Sequence, residues 1–190
     1  MSECLRIGAL APDFTMQGFW RDDVHTFRLS DYRSKWVVVF FYPGDFTFVC
    51  PTELEDLAKQ YETFTKLNVE ILAVSTDSVY VHKAWKGQSP AIGQVVFPML
   101  SDSLHIVSKK YGVYSKEEGT ALRGTFLIDE GGILRTMEIH DNGIGRSVGE
   151  LLRKVQAAQY VSAHPGTVCP ASWQPGDETL VPSVDIVDKI

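Results

Sequence analysis

Seven consecutive residues, Trp36-Val-Val-Val-Phe-Phe-Tyr42, are apolar and mostly β-branched or aromatic, and Pro43-Gly44 ends the run. A strand without a polar face needs cover on both sides, so this segment belongs in the middle of a sheet between other layers. Pro51-Thr52-Glu53 then opens a stretch with apolar residues at Leu54, Leu57, Ala58, Tyr61 and Phe64. That spacing is helical, and a proline near the start forfeits nothing, because the first N–H groups of a helix have no intrahelical partner. The sequence therefore predicts a buried strand, a short loop and a helix, with Cys50 at the junction of loop and helix.

Further along, residues 69–75 read as a second strand, and residues 79–86 and 105–111 as helices. Residues 125–129 and 134–140 read as the arms of a hairpin across Glu130-Gly131-Gly132-Ile133, and residues 147–163 as a closing helix. The order β-α-β-α, then hairpin, then helix, is what a thioredoxin-like α/β fold requires. After His164-Pro165-Gly166 the chain becomes rich in proline and glycine, with Pro165, Pro170 and Pro175 in close succession. Residues 1–163 are thus expected to form the thioredoxin-like domain, and residues 164–190 a C-terminal extended arm.

A chain of 190 residues, 44% hydrophobic and 22% charged, suits one compact soluble domain. A formal charge of −6 supplies no basic field for phosphate backbones or anionic lipid, so neither nucleic acid nor a membrane is an expected partner. The longest wholly apolar run is far short of the roughly 20 residues that cross a bilayer. The opening residues lack the charged start and apolar centre of a secretory leader, which makes a cytoplasmic location the expectation. Three cysteines, Cys4, Cys50 and Cys169, are too few for a disulfide-stapled scaffold, so the reactivity of an individual thiol becomes the question.

A cysteine at random is more often an inert, buried small hydrophobe than a nucleophile. Cys50 differs by its place. At a helix start, unpaired N–H groups and the positive end of the macrodipole favour an anion, and the thiolate is the reactive form of sulfur. Thr47 lies three residues earlier, one turn away if the loop winds into the helix, so its hydroxyl can reach the sulfur or a bound substrate. Pro43 would fix the loop wall and shield the sulfur from bulk water.

The pattern Pro43-x-x-x-Thr47-x-x-Cys50 resembles the active-site motif of peroxiredoxins, and Phe46 to Glu53 looks like their typical two-cysteine class. The likeness runs from Gly8-Ala-Leu-Ala-Pro-Asp-Phe14 through Ser75-Thr76-Asp77 and Trp85 to the arm. There, residues 157–173 and 182–190 are similar to the bacterial alkyl hydroperoxide reductase subgroup. The resemblance implies that the Cys50 thiolate attacks the O–O bond of hydrogen peroxide, an organic hydroperoxide or peroxynitrite and becomes a sulfenic acid. It assigns Arg123, in Leu122-Arg123-Gly124-Thr125-Phe126, and the Thr47 hydroxyl to stabilising the departing oxygen. It places Glu53, Arg146 and Tyr42 around the site as residues that orient it. The plainer reading of Arg123 and Arg146 is solvated surface charge.

A sulfenic acid left alone climbs to irreversible oxidation states, so turnover needs a second thiol. By resemblance that thiol is Cys169, in Val168-Cys169-Pro170, which resolves the sulfenic acid of the partner subunit. An intersubunit disulfide in a homodimer is implied, then reduction by thioredoxin or a flavin-dependent disulfide reductase, with assembly of five dimers into a decamer. The first helical turn must unwind for the two sulfurs to meet within disulfide geometry. Cys4 is expected to be incidental. Peroxide-sensitive members carry Gly-Gly-Leu-Gly in the region of residues 87–97 and end in a helix containing Tyr-Phe. Here that region reads GQSPAIGQVVF and the chain ends at Ile190. A lighter lid unwinds more readily, so disulfide formation is expected to outrun over-oxidation. Intact mass after low peroxide doses checks this, and a sulfinic acid on Cys50 would contradict it.

The remaining patterns point to ordinary structure. His25, His82, His105, His140 and His164 are scattered without metal-ligand spacing, and no cofactor is implied. Gly143-Ile144-Gly145 lacks the third glycine of a dinucleotide loop and reads as a tight turn presenting Arg146. Phe40, Phe41, Tyr42, Phe46 and Phe48 read as core and loop packing, and Asp22-Asp23 and Glu117-Glu118 as solvated charge. A chaperone holdase is the rival from another class, separable because it would survive loss of both Cys50 and Cys169. Dithiol exchange on protein clients is disfavoured by the absence of Cys-x-x-Cys.

Overall fold

The computed structural model describes residues 5–187, so Cys4 lies outside the described residues. The chain divides into two compact units, one ending at Val148 and the other beginning at Gly149. In chain order the strands are β1 (Thr15–Trp20), β2 (Asp23–Arg28), β3 (Trp36–Phe41), β4 (Val69–Ser75), β5 (Met99–Ser101), β6 (Tyr114–Ser115), β7 (Thr120–Ala121), β8 (Arg123–Ile128) and β9 (Leu134–His140). The helices are α1 (Cys50–Lys66), α2 (Val79–Gln88), α3 (Pro90–Gly93), α4 (Ile106–Lys110) and α5 (Val148–Ala163). None among the described residues is long and apolar enough to cross a membrane.

Seven strands form one sheet in the order β2-β1-β5-β4-β3-β8-β9. The run that begins at Trp36 becomes β3, which pairs parallel with β4 on one side and antiparallel with β8 on the other. Every β3 residue is buried. Val37, Val39 and Phe41 join Leu72, Val74, Tyr111, Phe126 and Ile128 in one core cluster. Alternation sends Val38 and Phe40 to the opposite face, where they too are buried. The expected strand at residues 69–75 and the expected hairpin are present as β4 and as β8 with β9. Helix α1 begins at Cys50 itself, one residue before Pro51, and buries Cys50, Glu53, Leu54, Leu57 and Phe64.

The sequence reading did not anticipate the β1–β2 hairpin, β5, α3 or the short β6–β7 pair. In β1, a glycine interrupts the alternation that marks a strand. A side chain at Gly18 would bring its Cβ to 2.5 Å from Leu100 Cδ2, so only glycine lets β1 lie against β5. Asp22 belongs to the hairpin turn rather than to a merely charged surface, with Arg21 and Asp22 at φ of 48° and 64°. The aromatic group also divides: Phe40, Phe41 and Tyr42 are core, whereas Phe46 is half-exposed and Phe48 is 93% exposed. Phe48 sits in the loop just before α1, where the chain has left the sheet and gives a side chain no neighbours to bury it.

In the second unit the arm is less extended than expected, because it doubles back on itself. Val168 and Leu180 pair as an antiparallel bridge, each N–H donating to the other's carbonyl at 2.9 and 3.0 Å. Between them, Trp173 is buried against Tyr160 of α5, with ring centroids 5.1 Å apart, and its Nε1–H donates to Asp177 O.

Candidate active site

Cys50 occupies the first turn of α1 with no solvent exposure, and no side chain caps the helix there. Arg123, the first residue of β8, comes from the strand beside β3, so the sheet register brings its guanidinium to the helix start. Its Nη1–H lies 3.4 Å from Cys50 Sγ and also donates to Glu53 Oε2 at 2.8 Å. The rest of the fork is fixed from behind: Nε–H and Nη2–H both donate to the main-chain carbonyl of Asn142, at 3.0 and 2.8 Å.

Glu53 is one helical turn after Cys50 and holds a second guanidinium. Arg146 donates to Glu53 Oε1 through its backbone N–H at 2.8 Å and Nε–H at 2.9 Å, and to Oε2 through Nη2–H at 2.9 Å. Its Nη1–H reaches Gly124 O and Thr125 Oγ1, and the guanidinium lies 3.3 Å from the centroid of the Phe40 ring. The turn Gly143-Ile144-Gly145 does present Arg146. Both arginines are buried, at 3% and 8% exposure, which excludes solvated surface charge for either.

Burial raises the Glu53 carboxyl pKa, but hydrogen bonds and charge from Arg146, then Arg123, outweigh it and hold the group below the usual carboxylate range. Desolvation lowers the Arg146 value, opposed by Glu53. Two guanidiniums against one carboxylate leave one positive charge in excess beside Cys50 Sγ, and a thiolate there would neutralise it. Among the described residues no group of three His, Cys, Asp or Glu side chains could hold a metal ion.

Thr47 is solvent-exposed, and its hydroxyl donates to Gly44 O at 2.8 Å. The proton is thereby directed along the loop, and the oxygen's lone pairs remain free to accept from a bound ligand. Pro43 is half-buried in the same loop. Tyr42 is fully buried, and its hydroxyl donates to Asp45 Oδ1 at 2.8 Å, so it acts on the loop rather than on the sulfur. Burial and the neighbouring Asp45 push its phenol well above the ordinary value.

Two participants were not anticipated. His82, expected to be ordinary, pairs with Asp45 in the interior at 2.7 Å, both side chains fully buried. The signal was its spacing from Val79 and Trp85, which places it on the buried face of α2. Asn142 contributes a main-chain carbonyl, and its side chain donates to Glu118, so Glu118 is an anchor for this loop rather than solvated charge alone.

Cys169 belongs to the second unit. It is half-buried, with Sγ 3.9 Å from Ala157 O of α5. Desolvation pushes its thiol pKa up, and Arg153 opposes the shift. Arg153 donates to Glu150 at 2.7 and 2.8 Å and to Trp173 O at 3.3 Å, so helix and arm are tied beside this sulfur. Cys50 and Cys169 are both free thiols.

Residues 7–137 match the model of the AhpC/TSA family, and residues 157–188 match the C-terminal domain of 1-Cys peroxiredoxin. The chain is similar to alkyl hydroperoxide reductase C of Amphibacillus xylanus, with 48% identity over 97% of this chain and 98% of that one. It is also similar to the Pseudomonas aeruginosa protein of the same name, with 51% identity over 83% and 84% of the two chains. Among solved structures it resembles the reduced 2-Cys peroxiredoxin of Plasmodium vivax, at TM-score 0.88 and 38% identity, covering 91% of each chain.

Proposed function

The chain belongs to the AhpC/TSA family and is a thiol-dependent peroxidase with a thioredoxin-like fold, and on that premise we propose that Cys50 is the sulfur that reduces the peroxide. The observation that carries this assignment is the contact of Cys50 Sγ with Arg123 Nη1 at the start of α1. The thiolate attacks the hydrogen-bearing oxygen of a hydroperoxide. An S–O bond forms, the O–O bond breaks, and the electron pair leaves on the far oxygen as hydroxide or alkoxide, which takes a proton from water. Arg123 supplies charge to that oxygen, and Thr47 accepts a hydrogen bond from the peroxide O–H. Glu53 and Arg146 hold Arg123 in place.

Cys169 of the partner subunit then attacks the Cys50 sulfenic acid, giving an intersubunit disulfide and water. Because Cys50 is fully buried, the start of α1 must unwind first. An external reductase, thioredoxin or a flavin-dependent disulfide reductase, restores the two thiols.

Two surfaces support assembly. Strand β9 is a sheet edge whose outward Met137 and Ile139 are exposed, a surface that a second β9 would cover in a dimer. Phe48 and Tyr80 are exposed aromatics that a neighbouring dimer would cover in a decamer.

Non-reducing electrophoresis tests the pairing after one equivalent of hydrogen peroxide is added to prereduced wild type, Cys50→Ser, Cys169→Ser and an equimolar mixture of the two variants. Wild type is expected to run as a linked dimer, and each variant alone as a monomer. The mixture is expected to link, because one protomer brings Cys50 and the other Cys169. Monomers in the mixture would overturn resolution between subunits.

A further inference from the structure

The loop from Tyr42 to Val49 carries Thr47 to the start of α1, yet Phe46 within it is held at a φ of 55°, a left-handed conformation that an aromatic residue rarely adopts. A strained residue stays put only where its neighbours are fixed, and here the fixed neighbour is Asp45. Three elements hold it. The Tyr42 hydroxyl, at the end of β3, donates to Asp45 Oδ1 at 2.8 Å. The Asp45 N–H donates at 2.8 Å to Asp77 Oδ2, which also accepts from Ser75 of β4 at 2.9 Å. His82 of α2 donates from Nδ1 to Asp45 Oδ2 at 2.7 Å, and its Nε2 faces Leu100 O of β5 at 3.3 Å. Trp85 of α2 packs on both Tyr42 and Phe46.

We infer that His82 is a positioning residue for peroxide reduction: through Asp45 it fixes the loop so that the Thr47 hydroxyl stands where the peroxide binds. A buried, fully paired His–Asp couple costs desolvation that an apolar pair would avoid, so packing alone does not account for it. Asp45 and Thr47 are two residues apart, on either side of the strained Phe46. The Thr47 hydroxyl donates back to Gly44 O, so a shift of Asp45 carries the hydroxyl with it. The sulfur is held separately by α1 and Arg123, so the effect falls on the substrate contact and not on the thiol.

This inference rests on the role proposed above for Thr47, and the test separates the two. In the full chain, His82→Asn keeps an amide N–H at the Nδ1 position and retains the bond to Asp45, whereas His82→Gln mimics only Nε2 and loses it. Two rates are measured: oxidation of Cys50 by hydrogen peroxide, and alkylation of Cys50 by iodoacetamide, which needs the thiolate but not Thr47. His82→Gln is expected to slow the peroxide reaction about tenfold, since small misplacements of a positioned group cost up to about a hundredfold. His82→Asn should stay within about threefold of wild type, as only the Nε2 contact with Leu100 O is lost. Both variants should alkylate at the wild-type rate, and His82→Gln should add nothing in a Thr47→Val background.

A wild-type peroxide rate in His82→Gln, with Thr47→Val slow, overturns the inference alone. A wild-type rate in Thr47→Val overturns the Thr47 assignment and this route with it. A parallel fall in peroxide and iodoacetamide rates also overturns the inference, because it shows a collapsed site. Tyr42→Phe removes only the phenol's bond to Asp45, and it carries the same comparison, with a smaller loss, if His82→Gln does not fold.

Discussion

Cys50→Ser is expected to abolish peroxide consumption, a loss of at least about 10⁴-fold, while the chain still folds. Sulfur is the atom whose anion forms near neutral pH and whose soft lone pair attacks an O–O bond, and a buried serine hydroxyl does neither. The oxygen is close to sulfur in size, and Arg123 remains to donate to it, so packing at the start of α1 is retained. Circular dichroism and thermal unfolding check the fold, and peroxide loss followed by colorimetry checks the chemistry. Consumption at the wild-type rate would move the peroxidase chemistry away from Cys50.

Glu53→Gln should produce the second large effect, and it should appear in both stability and rate. Among the described residues Glu53 is the carboxylate that pairs with both buried guanidiniums, and it accepts from Arg146 three times and from Arg123 once. Glutamine keeps the shape but removes the charge and offers one oxygen in place of two. Breaking a buried ion pair from one side costs about 3–5 kcal/mol, and a thermal melt reads it. Peroxide reduction should slow about tenfold to a hundredfold, because Arg123 then loses its charged partner and the Asn142 carbonyl becomes its main anchor.

The same variant should alter the acid limb of stability. The Glu53 carboxyl sits lower in the folded protein than in the unfolded chain, where the ordinary value is about 4.3. At pH between the two values the unfolded state binds the extra proton, so stability rises with pH there. The contribution is full above the unfolded value and is lost as pH falls through the folded one. Wild type should therefore lose stability on acidification below about pH 4. Glu53→Gln should lack that component and show a flatter acid limb in denaturant melts. An unchanged acid limb would mean that Glu53 is not held as a charged group.

The parts of the fold legible in the sequence are those where local pattern and tertiary demand agree. The β3 run carries no polar residue, α1 repeats its apolar residues at helical spacing, and the β8–β9 hairpin is marked by Gly131-Gly132. Strands β1 and β5 escaped because Gly18 breaks the one pattern and β5 is only three residues long. Cys50, Thr47 and Glu53 stand out in the run from Pro43 to Glu53, whereas Arg123 and Arg146 enter only through the resemblance, and the contacts that join Cys50, Glu53 and the two arginines carry no sequence signal. Arg123 leans on the main-chain carbonyl of Asn142, and a carbonyl carries no sequence signal. His82 showed its burial through Val79 and Trp85, yet its partner Asp45 lies 37 positions away and only the folded sheet joins them. Phe48 reads as a core residue by type and is exposed by position, since an apolar side chain in a loop has nothing local to say which surface will cover it.

The most direct test of the central claim is to find where the peroxide oxygen goes. Prereduced Cys169→Ser protein receives one equivalent of hydrogen peroxide in the presence of dimedone, which traps sulfenic acids, and the adduct is located by peptide mass spectrometry. A single adduct on Cys50 is the expected result. An unmodified Cys50, with the peroxide consumed, would contradict it.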